Sequence, residues 1–555
     1  MKTSRLVVTK APVEVRHAVV TAGHPLGAAV GAEILRRGGN AVDAAVATAF
    51  AMAVVEPFMS CLAGGGSLLI HRPRRGESVA LDFNVEAPAA AHARMYRLGK
   101  GRGGDLFPWR AVEGDANAHG HRAVAVPGSV AGLSLALERY GTMELQDVVA
   151  PAARLARRGV PIDWYLALEI ASYTEELSRY PEAARTYLRE GRFPPRPPGL
   201  DVGDRLRQPA LARSLDLIGK EGPDAFYRGE LAEAIEAEMK RGGGVLTRAD
   251  LAAYRVRVAP ALERSYRGVW LLGMPGATGC VTALEALNIL ACFDAARYGA
   301  GDPSTYHLRA EAFRVAFADR FRYLGDPAYV DAPWERLTSE AYAARVAKGL
   351  RPGGPGRARA TRATRAARGA DECTTHVCAV DRDRTLVSLT HTAVSLFGSK
   401  VVVPGTGILL SNGMIWFDPE PGRANSIAPG KRALVNMTPF LALRDDAPYL
   451  AVGAPGGRKI VTAVPQVLSN LIDFGLSPQA ACEAPRLHTE GDEVDVDDRA
   501  GPGLLAALRR MGHRVVARTE AYSTFHFARP QVIQVNEDRL VAGVDHLRPA
   551  TAMGF

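Results

Sequence analysis

The chain reads as an α+β protein, a four-layer αββα sandwich in which two stacked sheets lie between clusters of helices. Three observations predict this. Helical apolar spacing dominates the first 324 residues, strand formers dominate after residue 374, and only residues 351–369 resemble a linker. At 555 residues, length alone would favour three or four domains. With so little punctuation, the strands and helices are instead assigned to one layered body with ample chain for a sizeable core.

The elements follow in order. Residues 23–38 have helical spacing and stop at Gly38-Gly39. Asn40 then caps a second helix over 41–55, because its side chain accepts from the first free backbone N–H groups. Ser67 to His71 and Ser78 to Phe83 form a strand pair across a charged turn. Helical spacing recurs over 128–139, 144–157, 207–219 and 228–241, then over the longer 280–296 and 303–324. Strands are predicted over 374–380, 385–394, 531–535 and 539–544.

Composition bounds the function. Hydrophobic residues make up 47% and charged residues 23%, as in a soluble globular protein. The net charge is +9, and six of the positive charges lie in the arginine-rich run 351–369, so the rest is near neutral. Six arginines without aromatics or a fold motif are a weak nucleic-acid signal, and the run is read as a mobile, solvated processing loop. The six cysteines, at 61, 280, 292, 373, 378 and 482, contain no C-x-x-C pair, so neither a zinc ribbon nor a redox motif is indicated. No cofactor and no metal are expected. Met1 to Arg16 lacks the apolar core of a secretory signal, which sets a cytoplasmic expectation. The apolar stretch Ala44 to Val55 suits a buried helix and is too short to span a bilayer.

Three motifs are discounted. Gly64-Gly65-Gly66 lacks the Lys-Ser/Thr of a phosphate loop and is read as a turn near the site. His119-Gly120-His121 has no third ligand spaced to join it. Asp492 to Asp498 alternates with valines as a strand with one wet face and lacks the calcium-loop pattern.

The most informative stretch is Cys373-Thr374-Thr375-His376, where the arginine-rich run gives way to a strand. Asp381-Arg382-Asp383-Arg384 reads as a hairpin turn. Centred on Asp383, it pairs residues whose numbers sum to 766 and sets Thr374 opposite Thr392. Opposed Cβ atoms lie about 5 Å apart, within reach of a hydroxyl–hydroxyl bond. A hydroxyl is a poor nucleophile near neutrality and needs a neighbouring base. Cleavage between Cys373 and Thr374 would free an α-amine on Thr374, with an ordinary pKa of about 8. One residue would then be both nucleophile and base, while Thr392 orients its hydroxyl. Downstream, Gly453-Ala454-Pro455-Gly456-Gly457 lies between an apolar strand and Ile460 to Val464. A strand–Gly-Gly–helix turn of this kind exposes backbone N–H groups where an oxyanion develops.

On these residues the chain resembles the γ-glutamyltranspeptidase (glutathione hydrolase) family, self-processing members of the N-terminal nucleophile hydrolases. The likeness runs through Ala22-Gly23-His24-Pro25, Gly38-Gly39-Asn40-Ala41-Val42-Asp43-Ala44-Ala45 and Val126-Pro127-Gly128-Ser129-Val130-Ala131-Gly132. It continues through Tyr140-Gly141, Thr374-Thr375-His376, Gly407 to Asn412, Lys431-Arg432 and Pro455-Gly456-Gly457. It implies the αββα architecture, Thr374 as nucleophile, Thr392 as its hydroxyl partner, and Gly456 and Gly457 as oxyanion hole. It also implies two fragments, 1–373 and 374–555, interleaved after self-cleavage as each other's partner in a heterodimer.

The departures concern the acyl group. The family grips the glutamyl α-carboxylate with an arginine after Asp-Phe and with two serines after Lys-Arg-x-Leu. Here Asp82-Phe83 is followed by Asn84, and Leu434 by Val435 and Asn436. The positions that match the family's α-amino ligands are Val394, Gly413 and Trp416. An ammonium and a carboxylate buried without partners are each unfavourable by several kcal/mol, so γ-glutamyl compounds are expected to be poor substrates. Arg458 offers a guanidinium from another direction, or else neutralises a neighbouring group. Trp416 either lines an apolar acyl pocket or is core.

The resulting expectation is a self-processing N-terminal-threonine acyltransferase or amidohydrolase that passes an acyl group from Thr374 to water or an amine. One alternative keeps the nucleophile and changes the substrate to a small amide such as oxamate, or to a carbon–carbon bond beside a carbonyl in a biosynthetic pathway. Another is a processed, catalytically silent scaffold. The expected partners are a small-molecule amide and the cleaved fragment, without nucleic acid or membrane.

Overall fold

The computed structural model describes residues 8–102, 108–199, 202–353 and 373–555. Most of the arginine-rich run, residues 354–369, lies outside the described residues, and so does the mobility expected of it. Two seven-stranded sheets dominate the architecture. In chain order their strands are β1 (Val13–Val15), β2 (Val19–Ala22), β3 (Gly65–Arg72), β4 (Glu77–Phe83), β5 (Arg257–Pro260), β6 (Leu262–Tyr266) and β7 (Val269–Gly273). These are followed by β8 (Thr375–Val380), β9 (Leu386–Thr392), β10 (Phe440–Arg444), β11 (Ala447–Gly453), β12 (Gln531–Val535), β13 (Leu540–Val544) and β14 (Thr551–Gly554). One sheet has the order β14-β2-β8-β9-β3-β4-β5 and the other β1-β13-β12-β11-β10-β7-β6.

The two sheets face each other. Ser388 Oγ on β9 donates to the carbonyl of Val452 on β11 at 3.0 Å. Alternate residues of β8 serve different layers: Cys378 and Val380 join the core between the sheets, and Val377 and Ala379 the core beneath the helices. The helical layer over the first sheet is α1 (Pro25–Arg36), α2 (Ala41–Val55), α3 (Ser129–Tyr140) and α4 (Leu145–Arg158). Over the second sheet lie α5 (Gly279–Ala291) and α7 (Ile460–Ile472), with α6 (Pro303–Tyr323) packed beyond them.

Local chemistry explains the boundaries that the site depends on. Asn40 caps α2 by accepting from Val42 and Asp43, and the Asp43 carboxylate accepts from the Asn40 N–H, a reciprocal capping box. All of α2 is buried, which explains why its sequence is apolar on every side rather than on one stripe. The expected helices over 128–139 and 144–157 are α3 and α4, and that over 280–296 ends earlier, at Ala291. Gly64-Gly65-Gly66 is not a turn: Gly65 and Gly66 open β3 opposite Thr392 and His391. Asp492 to Asp498 contains the strand Glu493–Asp497. No described helix is long and apolar enough to cross a membrane.

Candidate active site

The hairpin has the register expected from the sequence. Thr375 pairs with His391 and His376 with Thr390, so Thr374, one residue before β8, falls opposite Thr392 at the end of β9. Thr374 Oγ1 lies 3.3 Å from Thr392 Oγ1. It also donates a short hydrogen bond to the carbonyl of Cys373. Thr392 Oγ1 donates to that same carbonyl at 3.3 Å and accepts from the Val394 N–H at 2.8 Å. Two threonine hydroxyls therefore converge on the Cys373–Thr374 peptide bond in the uncut chain. Thr374 and Thr392 are buried, at 5% and 0% exposure.

Neighbouring candidates for nucleophile or base are muted. Burial pushes the Cys373 thiol up to about 12, so it stays protonated. Burial lowers His376 to about 3 and His391 to about 4, which keeps both neutral. His376 is turned to Thr390 Oγ1 at 3.0 Å and His391 to Ser129 Oγ at 2.8 Å. Among the described residues, no group of three or more His, Cys, Asp or Glu side chains is placed to hold a metal ion.

Backbone geometry brings the turn after β11 to the same place. Gly456 has φ 135° and Gly457 φ 54°. A Cβ on Gly456 would lie 2.6 Å from the Cα of Ala528, so a side chain meets both strain and collision there. Pro455, immediately before the pair, lines one cavity with Thr374 and Thr375. Gly64 passes so close to β9 that a Cβ would lie 2.1 Å from the Thr392 carbonyl oxygen. Val394 has φ 86°, an unfavourable conformation for a β-branched residue. Asn412 holds the loop behind it, accepting from the Ser395 N–H at 3.1 Å and donating to Ser395 Oγ at 2.6 Å.

The remaining predicted positions are buried and in contact with the protein, although Asn84 Oδ1, Trp416 Nε1, Asn436 Nδ2 and Arg458 Nε have no hydrogen-bond partner among the described residues. Asn84 donates to Ser67 Oγ at 3.2 Å and to Asp82 Oδ1 at 2.7 Å. Asn436 accepts from Arg320 at 2.9 Å. Trp416 ends a 3₁₀ turn that begins at Gly413, is 3% exposed in the core between the sheets, and accepts through its carbonyl from Trp109 and Asn425. Arg458 forms an ion pair with Glu490 at 2.8 Å, and His488 approaches the other oxygen of that carboxylate at 3.2 Å. Arg432 of the Lys-Arg motif bridges Asp82 and Glu86 at 2.8 and 2.9 Å, a buried staple behind Asn84.

Sequence reasoning missed a second group. The cavity beside Thr374 is completed by Gly23, Glu56, Arg529, Gln531, Arg548 and Ala550. Burial raises Glu56 to about 7, against the opposing pull of His24 and Arg529. These residues come from four remote stretches of chain, and a single sequence carries no signal that they meet.

This arrangement, a buried threonine at the start of a central strand between two stacked sheets, defines the N-terminal nucleophile hydrolase class. The chain belongs to the gamma-glutamyltranspeptidase family, whose model matches residues 27–555, and with it to that family's hydrolase and transferase enzymes. It is 37% identical over 527 residues to a glutathione hydrolase proenzyme of Escherichia coli (strain K12), covering 92% of this chain and 88% of that one. It is 40% identical over 509 residues to an acylase ACY 1 proenzyme of Pseudomonas sp. (strain SE83), covering 91% and 88%. The crystal structure of a cephalosporin acylase from Bacillus halodurans superposes with a TM-score of 0.88 at 29% identity, covering 100% of this chain and 99% of that one.

Proposed function

We propose that the protein cleaves itself between Cys373 and Thr374 and then works as an N-terminal-threonine amidohydrolase or acyltransferase. The observation that carries this is the convergence of the Thr374 and Thr392 hydroxyls on the Cys373 carbonyl. In processing, Thr374 Oγ1 attacks that carbonyl carbon and the C–N bond breaks, leaving an ester on Thr374 and its α-amine free. Water then hydrolyses the ester to a Cys373 carboxylate and a free Thr374 hydroxyl. In turnover the amine takes the hydroxyl proton as Oγ1 attacks a substrate amide, and the departing amine takes up that proton. The N–H groups of the Gly456-Gly457 turn are assigned to the oxyanion, where one donor typically contributes about 3 kcal/mol to barrier lowering.

The acyl group is read as something other than γ-glutamyl. Asn84 and Asn436 are uncharged amides, each with one end bonded to the protein, and Val394 and Trp416 carry no charge. Nothing at these positions offers charged partners to an α-ammonium and an α-carboxylate. An acylase-type amide, or a small amide such as oxamate, does not require those charged partners. Intact mass tests both parts. The wild type should give two fragments split between Cys373 and Thr374, and Thr374→Ala should remain whole. The 374–555 fragment should gain an acyl mass from non-glutamyl amides and little from a γ-glutamyl anilide. A single uncut wild-type chain, or fragments that no electrophile labels, would favour the silent scaffold.

A further inference from the structure

Self-cleavage poses a proton problem that turnover does not. Before the cut Thr374 has no α-amine, so the base assigned to turnover is missing when Thr374 Oγ1 attacks the Cys373 carbonyl. A hydroxyl needs a base for that attack. Its buried neighbours do not supply one: burial keeps the Cys373 thiol protonated, and His376 and His391 are turned to Thr390 Oγ1 and Ser129 Oγ. Glu56 is the one carboxylate among the residues that line the cavity beside Thr374. It follows directly on α2, and its N–H donates to the Met52 carbonyl at 2.9 Å, so the helix end fixes the backbone from which the carboxylate reaches.

The space between Glu56 and Thr374 is small and polar. A Cβ on Gly23 would lie 3.0 Å from Glu56 Oε2 and 3.6 Å from Thr375 Oγ1, so the glycine leaves both oxygens around one gap. The cavity measures about 10 Å³, room for a single water. Thr375 Oγ1 and Gln531 Oε1, on two of its lining residues, have no hydrogen-bond partner among the described residues and offer such a water further partners. In a space of this size one water lies against Thr374 and Glu56 together. Charged groups face Glu56 from several elements. His24, ahead of α1, pairs with Asp163 at 3.4 Å. Arg529, ahead of β12, donates to the Tyr165 hydroxyl and lies near Asp545 and Glu169. Arg548, on the cavity wall, pairs with Glu520 at 3.1 Å. Burial raises Glu56 to about 7, against the pull of His24 and Arg529 and with the push of Asp163. The carboxylate can therefore both take up and return a proton near neutrality.

We infer that Glu56 is the proton acceptor of self-cleavage, working through one water lodged between it and Thr374. Thr374 Oγ1 gives its proton to that water as it attacks the Cys373 carbonyl carbon, and the water passes a proton to the Glu56 carboxylate. When the C–N bond breaks, Glu56 returns the proton by the same route to the departing Thr374 nitrogen. The ester has then formed, the α-amine is free, and Glu56 is ionised again. The inference rests on the proposed self-cleavage and concerns that step alone, since the α-amine is the base in turnover.

The rate of self-cleavage against pH tests this. Full-length chain is made by cell-free synthesis, synthesis is stopped, the chain is moved to buffers from roughly pH 5.5 to 8.5, and the fragments are timed by mass. In the wild type the rate should rise about tenfold per pH unit below about 7 and level off above it, because only the ionised carboxylate accepts a proton. Glu56→Gln should cleave about 10²-fold more slowly on the plateau and lose the inflection. Glu56→Asp keeps a carboxylate on a shorter arm, so it should keep the inflection at a reduced rate. Melting temperature checks that each variant is folded. A wild-type rate that does not change with pH would overturn the role of Glu56 whether or not the variants fold. An inflection that survives in Glu56→Gln would do the same and place the titration on His24. A wild type that cleaves beside a Glu56→Gln that cleaves equally fast sinks Glu56 alone, whereas a wild type that stays whole at every pH sinks self-cleavage and Glu56 with it.

Discussion

At the residue scale, Arg458 shows what one sequence leaves open. It stands next to the glycine pair, where a guanidinium is equally suited to a substrate carboxylate or to a protein one. The answer is set by Glu490, a residue with no local sequence link to it. Burial alone would raise the Glu490 carboxyl, but Arg458 and His488 outweigh it and hold the group at about 2. Glu490→Gln would leave the Arg458 cation buried beside a neutral amide, and breaking a buried pair from one side costs about 3–5 kcal/mol. A clear drop in melting temperature is therefore expected at pH 7. The sign of the pH effect follows from the depressed value. The pair's contribution is complete above the ordinary glutamate range near 4.5 and is lost as pH falls toward about 2. Melting curves between pH 6 and 2 should lose this part of the stability in the wild type and lack it in Glu490→Gln. Parallel curves for the two proteins would show that the ion pair contributes nothing net.

At the element scale, the site is made by a hairpin and a strand–turn–helix, and these were the parts most legible in the sequence. The hairpin register needed only a turn centre, because side-chain parity along a strand then fixes every pair. That parity set Thr374 opposite Thr392. The glycine pair was legible as a turn because a run of strand formers preceded it and an apolar helix followed. The role of the triple glycine was not legible. Its place in β3 depends on close passage against β9, a contact between segments far apart in the chain. The same limit hid the Glu56, Arg529 and Arg548 cavity. For the turn itself, Gly456→Ala combines a disfavoured φ of 135° with a Cβ 2.6 Å from Ala528 Cα. The turn must shift, taking its N–H groups with it, and losing one oxyanion donor typically slows catalysis about 10²–10³-fold. Acylation of the 374–555 fragment, followed by mass against time, should slow by that order while Thr374 remains intact. An unchanged rate would remove this turn from the oxyanion hole.

At the scale of the whole molecule, a cut at Thr374 would fall inside a shared core and not at a domain boundary. Both sheets alternate between the two fragments. In one sheet β2 and β3, from the first fragment, pair with β14, β8 and β9 from the second. In the other, β1 pairs with β13 and β7 with β10. Separating the fragments would expose ladder edges in both sheets together with the apolar core between them, and neither fragment retains a closed core of its own. The cleaved protein should therefore behave as one cooperative unit. Its fragments should co-elute through urea concentrations below the main transition, then unfold and part in the same step. Because two chains are released from one body, the midpoint should rise with protein concentration, whereas uncut Thr374→Ala should unfold at a midpoint independent of concentration. The variant should also be the more stable of the two at micromolar concentration, since its single chain keeps both fragments at high effective concentration. Release of the 374–555 fragment well before the loss of secondary structure would mean that the strand pairings across the cut do not hold the two fragments together.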